Sequence, residues 1–202
     1  MERFENNIVT IAGEIVKDFE FSNEVYGEGF YSTEVAVTRT SQFVDYVPIL
    51  VSERLVDVKE DWKGQFVLVN GEFRSHNKED EGKRKLLLSI FAKEFECQDP
   101  PYENCNSIVL HGHICKQPSY RKTPLGREIA DMIVAVNRGY GKSDYIPCIC
   151  WGRNARYVSC MDVGSEITLE GRVQSRDYIK RFEDGTDELR TAYEVSVAKI
   201  EM

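Results

Sequence analysis

The sequence predicts an all-β chain: two tandem five-stranded barrels, each with a short helix between its third and fourth strands. Three observations predict this. Short segments rich in β-branched and aromatic residues alternate apolar with polar positions and stop at Gly, Pro or Asn. These segments come in two sets of five. The second set repeats the first at a nearly constant spacing, the signature of a duplicated structural unit.

The repeat is explicit. Asn7-Ile8-Val9-Thr10-Ile11-Ala12-Gly13 parallels Asn106-Ser107-Ile108-Val109-Leu110-His111-Gly112, and Val35 to Arg39 parallels Val134 to Arg138. Asp45-Tyr46-Val47-Pro48-Ile49-Leu50-Val51 parallels Asp144-Tyr145-Ile146-Pro147-Cys148-Ile149-Cys150. These blocks share one offset, 99 positions. One residue later in register, Gly64 to Ser75 parallels Gly164 to Ser175. The predicted domains are residues 1–98 and 105–202, joined by a linker over 99–104, where Pro100-Pro101 forbids helix and strand alike.

In the second copy, strands are expected over Ser107–Lys116, Ile129–Arg138, Asp144–Trp151, Glu166–Ser175 and Thr191–Ile200. Within the third of these, side chains alternate between faces. Ile146, Cys148 and Cys150 are small and apolar and suit a barrel interior. Tyr145, Pro147, Ile149 and Trp151 share the other face, which puts two large rings where water is expected. Between the third and fourth strands, Ala155, Val158 and Met161 fall at three-residue spacing and Gly164 follows, a short amphipathic helix. The first copy has Leu55, Val58 and Trp62 there, then Gly64. Long, charged loops are expected at Ser75–Lys85 and Arg176–Arg190. Five strands with a helix between the third and fourth is the order of an oligonucleotide-binding (OB) barrel.

Composition narrows the function. The chain has 202 residues, 42% hydrophobic and 30% charged, as expected of a folded globular protein. Its acidic start, Met1-Glu2-Arg3-Phe4-Glu5, has no apolar run behind it, and no stretch approaches a membrane span of about 20 residues. A soluble, cytoplasmic protein without membrane contact is expected. The six cysteines include no CxxC pair, so reduced thiols are expected and a metal is not. No phosphate loop, defined carboxylate pair or nucleophile beside a base is present, so neither an enzyme nor a cofactor is expected. The net charge of −8 is unevenly placed. Residues 1–98 hold 12 Lys+Arg and 19 Asp+Glu, whereas residues 116–181 hold 12 basic and 7 acidic residues. The basic surplus surrounds Tyr145 and Trp151.

With these residues in view, the second copy resembles the bacterial single-stranded-DNA-binding protein (SSB) family over essentially all of Cys105 to Met202. The motifs that carry the resemblance occur in order. They are Asn106-x-Ile108-x-Leu110-x-Gly112, Tyr120-Arg121-Lys122-Thr123-x-x-Gly126, Val134-Ala135-Val136-x-Arg138, Asp144-Tyr145-Ile146, Trp151-Gly152-x-x-Ala155, Gly171-Arg172-Val173-x-x-Arg176-x-Tyr178, and Asp184-Gly185 before Arg190-Thr191. The resemblance implies an OB-fold that wraps single-stranded DNA with little sequence preference, in replication, recombination or repair. It also implies that Tyr140, Tyr145, Trp151 and Tyr178 stack on bases, a sequence-tolerant contact because every base has a flat face. Arg121, Lys122, Arg127, Arg138, Arg153, Arg172 and Arg176 lie near those rings in sequence and would neutralise phosphates. Taken singly, the residues have plainer readings: Trp151 as a core ring, Tyr178 as a turn residue, Tyr140 as a loop brace, each arginine as surface charge. Their grouping favours a DNA platform.

The first copy departs from the pattern. Tyr46 remains and Phe43 offers a partial substitute for Tyr140, but Ser52 replaces Trp151, Asn77 or Lys78 replaces Tyr178, and Phe19–Glu34 is acidic. The first barrel is expected to keep the fold, bind DNA weakly and mainly make subunit contacts. Single-barrel family members form tetramers, so two barrels per chain imply a homodimer presenting four. The family's acidic, partner-recruiting tail has no counterpart before Met202. Recruitment of replication or repair proteins is therefore absent or uses another surface, such as the acidic first domain. A bacterial or phage protein, nucleoid-associated, is implied. The alternative is a primosome-type OB-fold assembly factor that works mainly through protein–protein contacts.

Overall fold

The computed structural model describes residues 5–80, 83–182 and 185–201, and for residues 77–80 and 83–85 it describes the backbone alone. The first copy contributes β1 (Asn7–Ile15), β2 (Glu20–Val25), β3 (Glu28–Thr38), β4 (Val44–Ser52), β5 (Phe66–Asp80) and β6 (Lys83–Cys97). The second contributes β7 (Cys105–Ile114), β8 (Ser119–Lys122), β9 (Glu128–Arg138), β10 (Lys142–Trp151), α1 (Gly152–Ser159), β11 (Glu166–Arg181) and β12 (Asp187–Glu201).

Each copy closes into a five-stranded barrel. In the second, β7 pairs with β11, β11 with β12, β12 with β10, β10 with β9, and β9 returns to β7. The first copy repeats this circuit as β1-β5-β6-β4-β3-β1. The β4–β6 and β10–β12 pairings are the parallel ones. These are the two tandem OB-folds the repeat predicts. Alternation decides what each strand buries. Val47, Ile49 and Val51 on β4, like Ile146, Cys148 and Cys150 on β10, are at most 2% exposed. Close approach decides two pairs of glycines. A Cβ at Gly13 or Gly112 would strike the carbonyl oxygen of Ala36 or Ala135, and one at Gly71 or Gly171 that of Phe91 or Ser196. The duplication retains these glycines because the barrel corners leave no room for a side chain.

Three features differ from expectation. First, among the described residues only the second copy forms a helix. From Trp151 to Gly164 is 13 positions, but from Ser52 to Gly64 only 12, so the first copy is one residue short there. Asp57 and Asp61 also accept hydrogen bonds from the backbone N–H groups of Lys59 and Lys63, two residues on, which stabilises turns at the expense of helix. Val56, not Leu55, is the buried anchor, and Trp62 packs edge-on against Phe19 and Phe95. Second, the expected loops are the ends of long β-hairpins. Pairing continues from Ser175↔Tyr193 to Arg181↔Asp187, because a ladder satisfies backbone groups that a loop would leave to water. Third, each barrel carries an extra strand, β2 or β8, at the sheet edge. Both are exposed at every residue and so lack the alternation that reveals a strand.

The barrels are fused through their first strands. β1 pairs antiparallel with β7, Asn7↔Leu110 to Ala12↔Cys105, giving one 12-stranded sheet with a continuous core. The connection between them lies against the first barrel: Tyr102 stacks on Phe66 at 4.8 Å, and Asn104 accepts a hydrogen bond from the Thr38 N–H.

A second, pseudo-twofold contact joins the copies. Asp144 accepts the Ser75 N–H (2.8 Å), and the Ser75 hydroxyl accepts the Tyr145 N–H (2.8 Å). Reciprocally, Asp45 accepts the Ser175 N–H (2.9 Å), and the Ser175 hydroxyl accepts the Tyr46 N–H (3.0 Å). Each hairpin thereby clasps the start of the other barrel's third strand. Both aspartates are buried and face a cation on their own barrel. Arg39 grips Asp45 through two hydrogen bonds of 2.5 Å, whereas Arg138 approaches Asp144 only to 3.7 Å.

Candidate nucleic-acid interface

The second barrel presents one outward face across β10, β12 and β11. On β10 it carries Tyr145, Pro147, Ile149 and Trp151. On β11 it carries Arg172, Gln174, Arg176 and Tyr178, which pair with Ser196, Glu194, Ala192 and Arg190 of β12. The parallel pair Ile149↔Ser196 joins the two rows, and both residues are buried, as are Gln174 and Glu194, so the rings and arginines stand at the margins of this face. Tyr145 and Trp151, six residues apart, are separated by about 20 Å along the strand. Trp151 is 40% exposed and Tyr145 48%, so neither ring is a core side chain. Tyr178 is 37% exposed in the hairpin. Tyr140 is fully exposed in the three-residue turn between β9 and β10, with its backbone in the left-handed region at φ 62°.

The cations divide into two groups. Arg121 is paired with Asp131 at 2.7 Å, Arg138 faces Asp144, and Arg176 lies 3.7 Å from the buried Glu194, which also accepts a hydrogen bond from Gln174. Arg172 hydrogen-bonds Gln174 at 3.4 Å. Its guanidinium is held below its ordinary pKa by burial and by Arg39, partly offset by Asp45, so it belongs electrostatically to the contact between barrels. Lys122, Arg127 and Arg153, by contrast, are exposed and make no ion pair among the described residues. Arg153 follows Trp151 by two residues at the start of α1. Lys122 and Arg127 flank the turn between β8 and β9.

Reasoning from sequence missed Arg190 and Phe182. Arg190 lies directly opposite Tyr178, and its guanidinium and the Lys180 ammonium approach the Phe182 ring to 5.6 and 5.0 Å. They sit where a loop was expected, so nothing indicated a shared face. It also missed the Asp–Ser clasp, although Asp45/Asp144 and Ser75/Ser175 are identical polar residues at matched positions of both copies.

In the first copy, the equivalent of the Trp151 position is closed by polar contacts. The Ser52 hydroxyl hydrogen-bonds the Glu28 carboxylate, Glu28 pairs with Arg54 at 3.3 Å, and Glu53 accepts the Gly29 N–H. Arg74 lies over the Phe91 ring at 3.8 Å and is paired with Glu72, which also holds Lys93. Burial pushes the Glu72 carboxyl up, but hydrogen bonds from Lys93 and Arg74 and their charges bring it below its ordinary value. Tyr46 is 46% and Phe43 53% exposed, with Arg39 stacked over Phe43 at 4.6 Å. The side chains of Asn77 and Lys78, and Asp184 of the second-copy motif, lie outside the described residues.

Among the described residues, no group of three or more His, Cys, Asp or Glu is arranged to hold a metal, and no helix is long and apolar enough to cross a membrane.

The two closed barrels define a tandem OB-fold protein, one barrel carrying exposed rings beside cations that make no ion pair among the described residues. Residues 105–202, the second copy, match the model of the single-strand binding protein family. Single-stranded DNA-binding protein 1 of Staphylococcus aureus is 39% identical over 80 residues, and single-stranded DNA-binding protein A of Bacillus subtilis 38%. Those alignments cover 36% of this chain and 48% and 46% of the relatives, so the chain spans about half the length of the curated proteins it matches. The single-stranded DNA binding protein of Thermus aquaticus matches across 96% of this chain and 91% of its own, with a TM-score of 0.77 at 18% identity. That match extends the shared fold to both copies.

Proposed function

We propose that this chain binds single-stranded DNA without sequence preference and that its second barrel is the principal binding surface. The observation that carries the reading is the pair of exposed rings, Tyr145 and Trp151, at the two ends of β10, on the same side of the sheet as Arg176 and Tyr178 and bordered by Arg153, which makes no ion pair among the described residues. Bases stack on Trp151, Tyr145, Tyr178 and Tyr140. Arg153, Arg127 and Lys122 take phosphates, with Arg121 and Arg176 contributing less because their charges are already shared. Arg138 and Arg172 act mainly in positioning the barrels. Tyr46 and Phe43 provide a weaker site on the first barrel. Such a protein covers strands and removes hairpins by mass action, in replication, recombination or repair, and a homodimer would present four barrels. Titration of fluorescein-labelled oligo-dT at two salt concentrations tests this. Strong binding that weakens steeply with salt is expected, and absence of binding at low salt would contradict it. Its acidic first barrel favours a second reading, an assembly factor that touches DNA weakly and works through protein contacts. Weak, salt-insensitive binding would favour that reading.

A further inference from the structure

The first barrel carries a groove where the second carries its helix. Segment 53–65 is the counterpart of the α1 segment, but it is one residue shorter and forms turns. Two adjoining depressions of about 390 and 480 Å³ open along it, sharing Val58 and Lys59 in their walls. Their apolar walls are Phe19, Val58 and Trp62 in one and Tyr31, Leu55 and Val56 in the other. Five carboxylates rim them: Asp18, Glu53, Asp57, Glu60 and Asp61. None of the five makes an ion pair among the described residues. Of the two cations in the lining, Arg54 is already held by Glu28.

From this we infer that the groove is a docking site for a partner protein's basic peptide segment, with one or two bulky apolar anchors between Lys or Arg residues. The apolar walls receive the anchors, as amphipathic peptides seat in grooves. The rim carboxylates, which form no ion pair among the described residues, receive the cations; Glu53, Asp57 and Asp61 also accept one backbone N–H each. The same rim repels phosphates, so nucleic acid is not the occupant. The groove is built by residues 18–19, 31 and 53–62, apart from the ring-bearing face of β10 and β11. Peptide binding and DNA binding are therefore separable, and either can fail without the other.

The test uses the full chain and a fluorescein-labelled amphipathic peptide of Leu, Trp, Lys and Arg, with two controls: its Lys/Arg→Glu counterpart and its Leu/Trp→Ser counterpart. The basic apolar peptide should bind and both controls should bind at least tenfold more weakly. The double variant Asp18→Lys/Glu60→Lys alters two exposed rim carboxylates that no other side chain contacts by hydrogen bond or ion pair among the described residues. It should lose at least tenfold in peptide affinity while oligo-dT affinity does not fall. Amide shifts caused by the peptide should cluster at residues 18–19 and 53–62. The inference is overturned if the peptide does not bind, if the double variant binds it equally, or if the shifts map to β10 and β11. It is also overturned if the groove takes the basic 122–127 turn of a second copy, tipped by the 85% exposed Leu125. In that case the chain would self-associate with concentration, and both Leu125→Ser and the rim variant would abolish the association.

Discussion

Trp151 and Ser52 stand at the same position of two copies of one barrel, and their surroundings differ together. Around Trp151 the ring is open and Arg153 makes no ion pair among the described residues. Around Ser52 the hydroxyl is tied to Glu28, Glu28 to Arg54, and Arg74 is shared between Phe91 and Glu72. A duplicated barrel needs its glycines and buried strand faces in both copies, and these are what both retain. Exposed rings and free cations are not needed for folding, so one copy could lose them. The clasp lies between these cases: Asp45 and Asp144 are kept in both copies because they hold the two barrels to each other.

The largest effect should come from the clasp. Asp45→Ala strands Arg39 and the Ser175 N–H in a buried site and should cost about 3–5 kcal/mol, the range for breaking a buried pair. Asp144→Ala should cost less, on the order of 1–3 kcal/mol, because Arg138 is farther from its partner and a lost hydrogen bond dominates. Urea unfolding measures both, and equal losses would break the asymmetry. Next, Trp151→Ala should weaken oligo-dT binding by about 1–3 kcal/mol, the worth of one stacked base, while the Tyr46→Ala/Phe43→Ala pair should weaken it less. Equal losses would mean that both barrels share the DNA.

Smaller effects sharpen the electrostatics. Removing Arg153 should lower the slope of log K against log salt by about 0.7, the single-strand value per phosphate contact. Removing Arg138, already committed to Asp144, should leave the slope nearly unchanged. Burial raises Cys150 to about 12 and holds Cys148 well above its ordinary value. A thiol reagent at neutral pH should therefore label the exposed Cys97, Cys115 and Cys160 and spare that pair until the barrel unfolds. Glu72 has a lowered folded pKa, so its ion pairs stabilise the first barrel above the ordinary value of 4.5, and that contribution is lost as pH falls through the folded value. Glu72→Gln should flatten this acid limb of the stability curve.

The barrels were legible because burial forces alternation: Val47, Ile49 and Val51 declare their face as clearly as Ile146, Cys148 and Cys150 do. Strands β2 and β8 were not, because Glu20–Val25 and Ser119–Lys122 bury nothing. The helix of the first copy was expected from Leu55, Val58 and Trp62, but spacing is blind to a one-residue deletion and to Asp side chains that satisfy turn N–H groups. For the site, strand parity placed Tyr145 and Trp151 on one exposed face. Which arginines are free could not be read, since Asp131, Asp144 and Glu194 reach them across strands. The contact between barrels depended on residues more than 60 positions apart, visible in sequence only as matched Asp and Ser residues in the two copies.

Each copy holds one tryptophan, Trp62 packed among Phe19 and Phe95 and Trp151 on the open face. Fluorescence quenching by oligo-dT in Trp62→Phe and Trp151→Phe therefore reads the two barrels separately. The account predicts strong quenching in Trp62→Phe and little in Trp151→Phe. Quenching that survives in Trp151→Phe and disappears in Trp62→Phe would place the DNA on the first barrel and contradict it.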